Sequence, residues 1–267
     1  MKQTKIIALL AASFTSIAST TILADPPKED GQWRGAFAAG LAIASGNTKS
    51  TNFNASIDML RATKEDKITL FLTSLYGTRD SAGVNQKTAS LARGGARYDW
   101  NLSDRTFVFG LFEAEQDKIQ RLDSRYVGGT GFGYKVLKEK NTSFDIFGGI
   151  TGRRDTVSVT VERPLPLPAS TVDEKITTSS TELLLGEESN HKISDTVSFK
   201  QKLTIYPNLK ASGEYRAQFD SGLVVAIAKG INLQLTLSDR YNSQAEPGTK
   251  KNDLLFLTGI NIALGAK

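Results

Sequence analysis

Side chains that ordinarily do acid–base or nucleophilic chemistry near neutral pH are almost missing from this 267-residue chain, which has one histidine, His191, and no cysteine. A zinc site needs several His or Cys ligands, so no metal or cofactor is expected. A Ser-His-Asp arrangement needs its histidine oriented by a carboxylate. His191 falls in the polar run His191-Lys192-Ile193-Ser194, which reads as an exposed turn. Gly128-Gly129-Thr130-Gly131-Phe132-Gly133 departs from the G-x-G-x-x-G phosphate loop and lies inside a strand-like segment. Like Gly94-Gly95 and Gly148-Gly149, it reads as glycine that lets a closing sheet coil. No catalytic residue is expected, and nothing argues for an enzyme.

What the chain does carry is charge at strand spacing. Arg34, Asp58, Arg93, Arg97, Lys135, Asp145, Glu182, Lys200, Lys202, Glu214, Arg216, Asp220 and Arg240 lie on the polar side of alternating segments, joined by Asp99 and Arg153. If those segments cross a bilayer, a charge facing lipid costs several kcal/mol near the midplane, so these side chains are expected to face a lumen.

The segments that must position them alternate with period two. Phe53, Ala55, Ile57 and Met59 oppose Asn52, Asn54, Ser56 and Asp58, and Ile231, Leu233, Leu235 and Leu237 oppose Asn232, Gln234, Thr236 and Ser238. Glu214, Arg216, Gln218 and Asp220 oppose Tyr215, Ala217, Phe219, Leu223, Val225 and Ile227. Such alternation marks strands with one apolar and one wet face. Twelve are expected, at 32–45, 51–62, 67–78, 88–100, 105–116, 125–137, 142–153, 176–188, 195–206, 212–228, 230–242 and 252–265. Many approach the length of about ten residues that a tilted strand needs to cross a bilayer.

Tight polar turns are expected at Thr63–Asp66, Asn101–Asp104, Lys138–Asn141, His191–Ser194 and Lys229-Gly230. Longer links fall between them at Arg79–Lys87, Asp117–Ser124, Arg154–Lys175, Pro207–Ala211 and Ser243–Lys251, with a short first link at Ser45–Ser50. In outer-membrane barrels short turns face the periplasm and long loops face outward. His191 is then at the wrong end for a phospholipase or an omptin-like protease. Trp33, Tyr98, Trp100, Phe107, Tyr134, Phe144 and Phe199 near the short turns, and Phe53, Tyr76, Tyr126, Tyr206 and Tyr241 near the long loops, are expected to form two interfacial girdles. The longest link, Arg154–Lys175, holds Pro164, Pro166 and Pro168, which favour extended backbone without a ladder; it reads as a surface loop or a constriction folded inward. Arg79, Arg121, Arg125, Arg153, Arg154, Lys250 and Lys251 near that rim suit lipopolysaccharide phosphates or are ordinary solvated charges.

The start of the chain fits export. Lys2 and Lys5 precede the apolar run Ile6–Ala12, and Thr21-Ile22-Leu23-Ala24 precedes Asp25, which reads as a signal peptide over 1–24 with a barrel domain over 25–267. Removing it takes two of the 33 basic residues, leaving 31 against 28 acidic ones, too even a balance for nucleic-acid binding. Apolar residues make up 39%, and past residue 24 no run approaches the roughly 20 apolar residues of a spanning helix. Only a closed sheet then satisfies every backbone group in lipid.

Gly40-Leu41-Ala42-Ile43-Ala44-Ser45-Gly46-Asn47-Thr48, followed by Thr51-Asn52-Phe53-Asn54-Ala55-Ser56-Ile57-Asp58, resembles the opening of the YdiY-like family. Ala96-Arg97-Tyr98-Asp99, Leu102-Ser103-Asp104-Arg105 and Arg125-Tyr126-Val127-Gly128-Gly129 are similar to it as well. That family is described as salt-induced outer-membrane proteins and is catalogued as a domain of unknown function. The resemblance implies an outer-membrane barrel and little about activity. Outer-membrane barrels usually close on a C-terminal aromatic, whereas this chain ends Leu264-Gly265-Ala266-Lys267.

The expected fold is an all-β, antiparallel, up-and-down transmembrane barrel of about twelve strands. Three functions compete: a small nonspecific or weakly anion-preferring channel, a non-conducting barrel serving envelope integrity under salt or osmotic stress, and a soluble periplasmic β-protein that binds a lipid. Expected partners are outer-membrane lipid and lipopolysaccharide, the barrel-assembly machinery during insertion, and small ions or solutes if the lumen is open.

Overall fold

The computed structural model describes residues 26–44, 49–81, 84–163, 170–244 and 251–265. The expected signal peptide, the Ser-Gly-Asn-Thr turn of the first hairpin, the three alternating prolines and Lys250 lie outside these residues.

Twelve strands make up the described chain: β1 (Arg34–Ala44), β2 (Lys49–Ala62), β3 (Asp66–Ser81), β4 (Val84–Asn101), β5 (Thr106–Asp117), β6 (Leu122–Lys138), β7 (Thr142–Arg163), β8 (Ser170–Lys192), β9 (Val197–Pro207), β10 (Tyr215–Ala228), β11 (Ile231–Asn242) and β12 (Asn252–Gly265). Each pairs antiparallel with its sequence neighbours, and β12 pairs back onto β1, closing the barrel. Closure removes the exposed edges that an open sheet would present. The seam is short, from Arg34↔Gly265 to Ala39↔Ile260. Among the described residues no helix is long and apolar enough to cross a membrane.

The register keeps the two faces apart. Ile57 lies opposite Leu72 and Asp58 opposite Phe71, so one face collects aliphatic residues and the other collects the carboxylate and its neighbours. A one-residue slip would exchange the faces, which is why the alternation fixes the pairing so firmly. Outward-pointing Leu72, Phe132, Phe256 and Leu254 are 56%, 70%, 64% and 71% exposed. Inward-pointing side chains on the same strands, such as Thr73 at 1%, are buried.

The β7–β8 ladder is far longer than the alternation indicates, running from Thr142↔His191 to Arg163↔Ser170. The expected link 154–175 is therefore mostly a hairpin continuing both strands, and the described residues show no inward constriction there. Likewise β3 and β4 run on through most of the expected link 79–87. Thr, Val and Ser fill these extensions and suit a ladder as readily as a loop. His191 belongs to β8, half-buried and stacked on Phe199 with centroids 6.3 Å apart; the turn follows at 193–196.

Candidate functional site

The barrel interior is the candidate site, and contacts between strands that do not pair define it. Lys67 Nζ on β3 lies 4.0 Å from Asp145 Oδ2 on β7. Lys135 Nζ on β6 donates to Asn101 Oδ1 at the end of β4, 2.9 Å away. Arg216 Nη2 on β10 donates to Glu182 Oε2 on β8 across 2.6 Å. Such reaches are possible only through the lumen.

Where β4, β5 and β7 face one another the lumen is filled. Arg97 on β4 donates through Nε to Asp99 Oδ1 at 2.6 Å, and Asp99 also takes Lys67 at 3.0 Å. The Arg97 guanidinium lies 4.5 Å from the Phe109 ring centre, 4.6 Å from Phe147 and 5.6 Å from Phe107. Phe109 and Phe147 meet edge to face at 5.8 Å. Leu184 and Tyr206 complete a buried cluster with these rings. A buried charge is tolerable only when paired, and the flat guanidinium both pairs with a carboxylate and stacks on rings.

The rings fit because glycines face them. A Cβ on Gly186 would stand 2.5 Å from the Phe147 ring, and one on Gly133 would collide with Phe107. These in-strand glycines therefore make room for the aromatic plug in addition to any part they play in coiling.

Above this layer, Arg93 pairs with Glu113 and lies 5.5 Å from the Phe71 ring. Glu182 takes both Arg216 and Arg153, the latter at 3.2 Å. Arg125 donates from Nε and Nη2 to Asp155 at 2.9 and 3.0 Å, and Arg153 joins the same carboxylate. On the opposite wall Arg240 and Ser238 both donate to Asp220. Leu257 of β12 reaches across to Leu75, Ala89 and Leu91. Every strand contributes a buried inward side chain, among them Ala36, Asp58, Thr73, Asp99, Phe109, Val127, Thr151, Glu182, Thr204, Val224, Ser238 and Asn261.

Below the plug, at the short-turn end, is a cavity of about 560 Å³ lined in part by Lys67, Lys135, Lys200, Asp99, Asp145 and Glu188. Lys200 is paired with Glu188 at 2.9 Å. The segment Pro26–Glu29 crosses this mouth, with Glu29 bound to Lys138 at 2.7 Å. It is anchored by Asp30, which accepts from Arg34 Nη1 at 2.8 Å, and by the Gly31 N–H donating to Ala62 O. The Arg34 guanidinium holds the Asp30 carboxyl well below the usual carboxylate range.

Arg34, Asp58, Arg93, Arg97, Lys135, Asp145, Glu182, Lys200, Lys202, Arg216, Asp220 and Arg240 all lie on strands with inward parity. Glu214 does not: it precedes β10 in the connection from β9 and accepts from Asn208 Nδ2 at 3.0 Å. Phe107 and Tyr206, expected in the girdles, are instead buried inside at 1% and 8% exposure. The inward faces of β5 and β9 mix apolar with polar residues, so hydrophobicity alone misassigns them. Arg125 and Arg153, expected near the rim, are engaged inside. Lys67, Glu113, Asp155 and Glu188 were missed, although strand parity against Arg93 and Lys200 would have found Glu113 and Glu188. Among the described residues no group of His, Cys, Asp or Glu could hold a metal ion.

No curated protein matches the chain. In fold it is similar to the translocator domain of the autotransporter NalP from Neisseria meningitidis, at 14% identity over 88% of this chain and 87% of that one, with a TM-score of 0.44. An outer-membrane channel from Pseudomonas putida F1 is 11% identical over 94% of this chain and 100% of that one, with a TM-score of 0.45. The NanC porin is 10% identical over 87% and 97% of the two chains, with a TM-score of 0.41. The family match is firmer: residues 37–263, nearly the whole barrel, fit one family model, and the chain belongs to the family described as protein of unknown function, DUF481.

Proposed function

We propose that this protein is an outer-membrane barrel whose lumen is held shut by interlocked ion pairs and aromatic rings, so that it does not conduct in this conformation. Burial of inward side chains on all twelve strands carries the reading, because a water-filled pore would leave them wet. The membrane location rests on the outer wall. Leu72, Phe112, Phe132, Ile150, Leu254 and Phe256 present an apolar belt that water would not tolerate on a monomer. Tyr98, Trp100 and Tyr134 flank it at the short-turn end, and Phe53, Tyr76 and Tyr126 at the other. The role is then structural or docking, in keeping with the resemblance to salt-induced envelope proteins. Lipid, lipopolysaccharide at the long-loop rim and the assembly machinery are its partners, and no enzymatic step is assigned.

A second reading, a narrow and weakly anion-preferring channel, draws on the lysine-lined cavity and on a plug made of ion pairs, which can rearrange more easily than an aliphatic core. Planar-bilayer recording separates the two. The closed-barrel reading expects silence over many wild-type insertions and steps only when Arg97 and Phe147 are both cut to alanine. Steady wild-type conductance would remove it in favour of the channel.

A further inference from the structure

A bulge in β6 turns two lysines into the cavity at the short-turn end. Lys135 lies opposite Asp145 and Lys138 opposite Ser143, with one extra residue between them on β6. Asp145 and Ser143 share the inward face of β7, and both line the cavity. In a regular strand, residues three apart point to opposite faces. The bulge is therefore what brings Lys138 inward beside Lys135.

Lys135 is held in place without being neutralised. Asn101 donates from Nδ2 to the Lys64 carbonyl at 2.8 Å, which fixes its amide, and its Oδ1 accepts from Lys135 Nζ at 2.9 Å. Among the described residues Lys135 forms no ion pair, whereas the buried carboxylates of the cavity already have cations. Arg97 and Lys67 take Asp99, Lys200 takes Glu188, and Lys67 lies 4.0 Å from Asp145. Lys138 holds Glu29 of the strap Pro26–Glu29 at 2.7 Å, so a carboxylate already rests in this mouth. The β2 side of the same cavity is apolar. Leu60, Ala62 and Phe107 line it, and Pro26 and Pro27 cover it from the strap. At about 560 Å³ the space falls within the roughly 300–1,000 Å³ of small-molecule sites.

Resting on the reading of the lumen as closed beyond this cavity, we propose that the cavity is a binding site, entered from the short-turn end, for a small organic anion. Its carboxylate takes Lys135 and Lys138, and its compact apolar body lies against Leu60, Ala62 and Phe107. Glu29 is the built-in competitor, which the ligand displaces from Lys138. An inorganic anion would satisfy the lysines and leave the apolar side wet, and a cation would meet the lysines unpaired.

Benzoate is the probe, titrated calorimetrically into the folded chain in lipid nanodiscs beside acetate, inorganic phosphate and benzylamine. Benzoate should bind at one site per chain, and the other three far more weakly. Lys135→Gln should weaken benzoate about tenfold, the worth of one hydrogen bond to a charged group, and Lys135→Arg should recover most of the loss. Glu29→Gln should tighten benzoate by about two- to fivefold, the worth of an exposed ion pair, because it removes the competitor. A lysine that merely supports the fold would not respond to Glu29. Absence of benzoate binding, benzylamine, acetate or phosphate binding as tight as benzoate, or wild-type affinity in both Lys135→Gln and Glu29→Gln would each overturn the site. Should Lys135→Gln lose its heat-modifiable band, Glu29→Gln on the strap decides alone. Planar-bilayer steps from a barrel that still binds benzoate, more tightly as Glu29→Gln, would remove the closed lumen and keep the site. A silent barrel without benzoate binding would remove the site and keep the closed lumen.

Discussion

Replacing Arg97 with methionine keeps most of the bulk in mid-lumen and removes the charge. Asp99, 2% exposed, loses the Nε donor at 2.6 Å and keeps only Lys67 at 3.0 Å. Deleting one partner of a buried pair costs about 3–5 kcal/mol, and the surviving lysine should hold the loss to the lower end of that range. The three ring contacts add about 0.5–1 kcal/mol each, much of which a thioether against the same rings recovers. The expected net destabilisation is about 3 kcal/mol, read as a shift in urea unfolding of the barrel in lipid vesicles. Asp99→Asn and the double variant complete a cycle, with an expected coupling of roughly 1–3 kcal/mol. An Arg97→Met barrel within about 0.5 kcal/mol of wild type, the range of an ordinary surface change, would refute the claim that this pair locks the lumen.

Gly186→Val should destabilise by about 1–3 kcal/mol through overpacking, since its Cβ would stand 2.5 Å from the Phe147 ring, and Phe147→Leu in the same chain should restore part of the loss on urea unfolding. Leu72→Arg, at an outward site 56% exposed, should cost about 2–4 kcal/mol near the midplane and lower the folded, heat-modifiable band in vesicles, an effect that a soluble β-protein would not show. Asp30 is held ionised by Arg34, so its contribution is present above the unfolded value near 3.8 and fades as pH falls through its lower folded value. In a Trp100→Phe background, Trp33 fluorescence should therefore show an acid transition below about pH 4 that Asp30→Asn removes; an identical transition in both would exclude the Asp30–Arg34 anchor.

The strand count and the two faces were legible because period-two alternation is a local property that each segment declares for itself. β12 has the same bounds in sequence and structure, and β1, β9 and β11 differ by a residue or two. Where both faces suit a ladder, or both carry apolar residues, the signal fails. The Thr- and Ser-rich extensions of β7 and β8 read as loop, and Phe107 and Tyr206 read as girdle. The plug itself was invisible in outline, because Arg97 meets Phe147 only after the barrel closes and brings β4 and β7 within reach. Parity can say that Arg97 faces inward; it cannot say that three rings wait there. The outward Glu187 was equally hidden, since Glu187-Glu188 supplies a charge to either face and only the register decides which one meets Lys200.

Water access at mid-lumen tests the closed interior most directly. With no native cysteine to remove, Thr151→Cys places one thiol where the wall is 0% exposed, and Ser143→Cys places another in the cavity at the short-turn end. The plug predicts that a charged, membrane-impermeant thiosulfonate modifies Ser143→Cys and leaves Thr151→Cys unlabelled from either side of the membrane. Labelling of Thr151→Cys as fast as Ser143→Cys would mean that water and ions pass mid-height freely, and the closed-barrel account would be wrong.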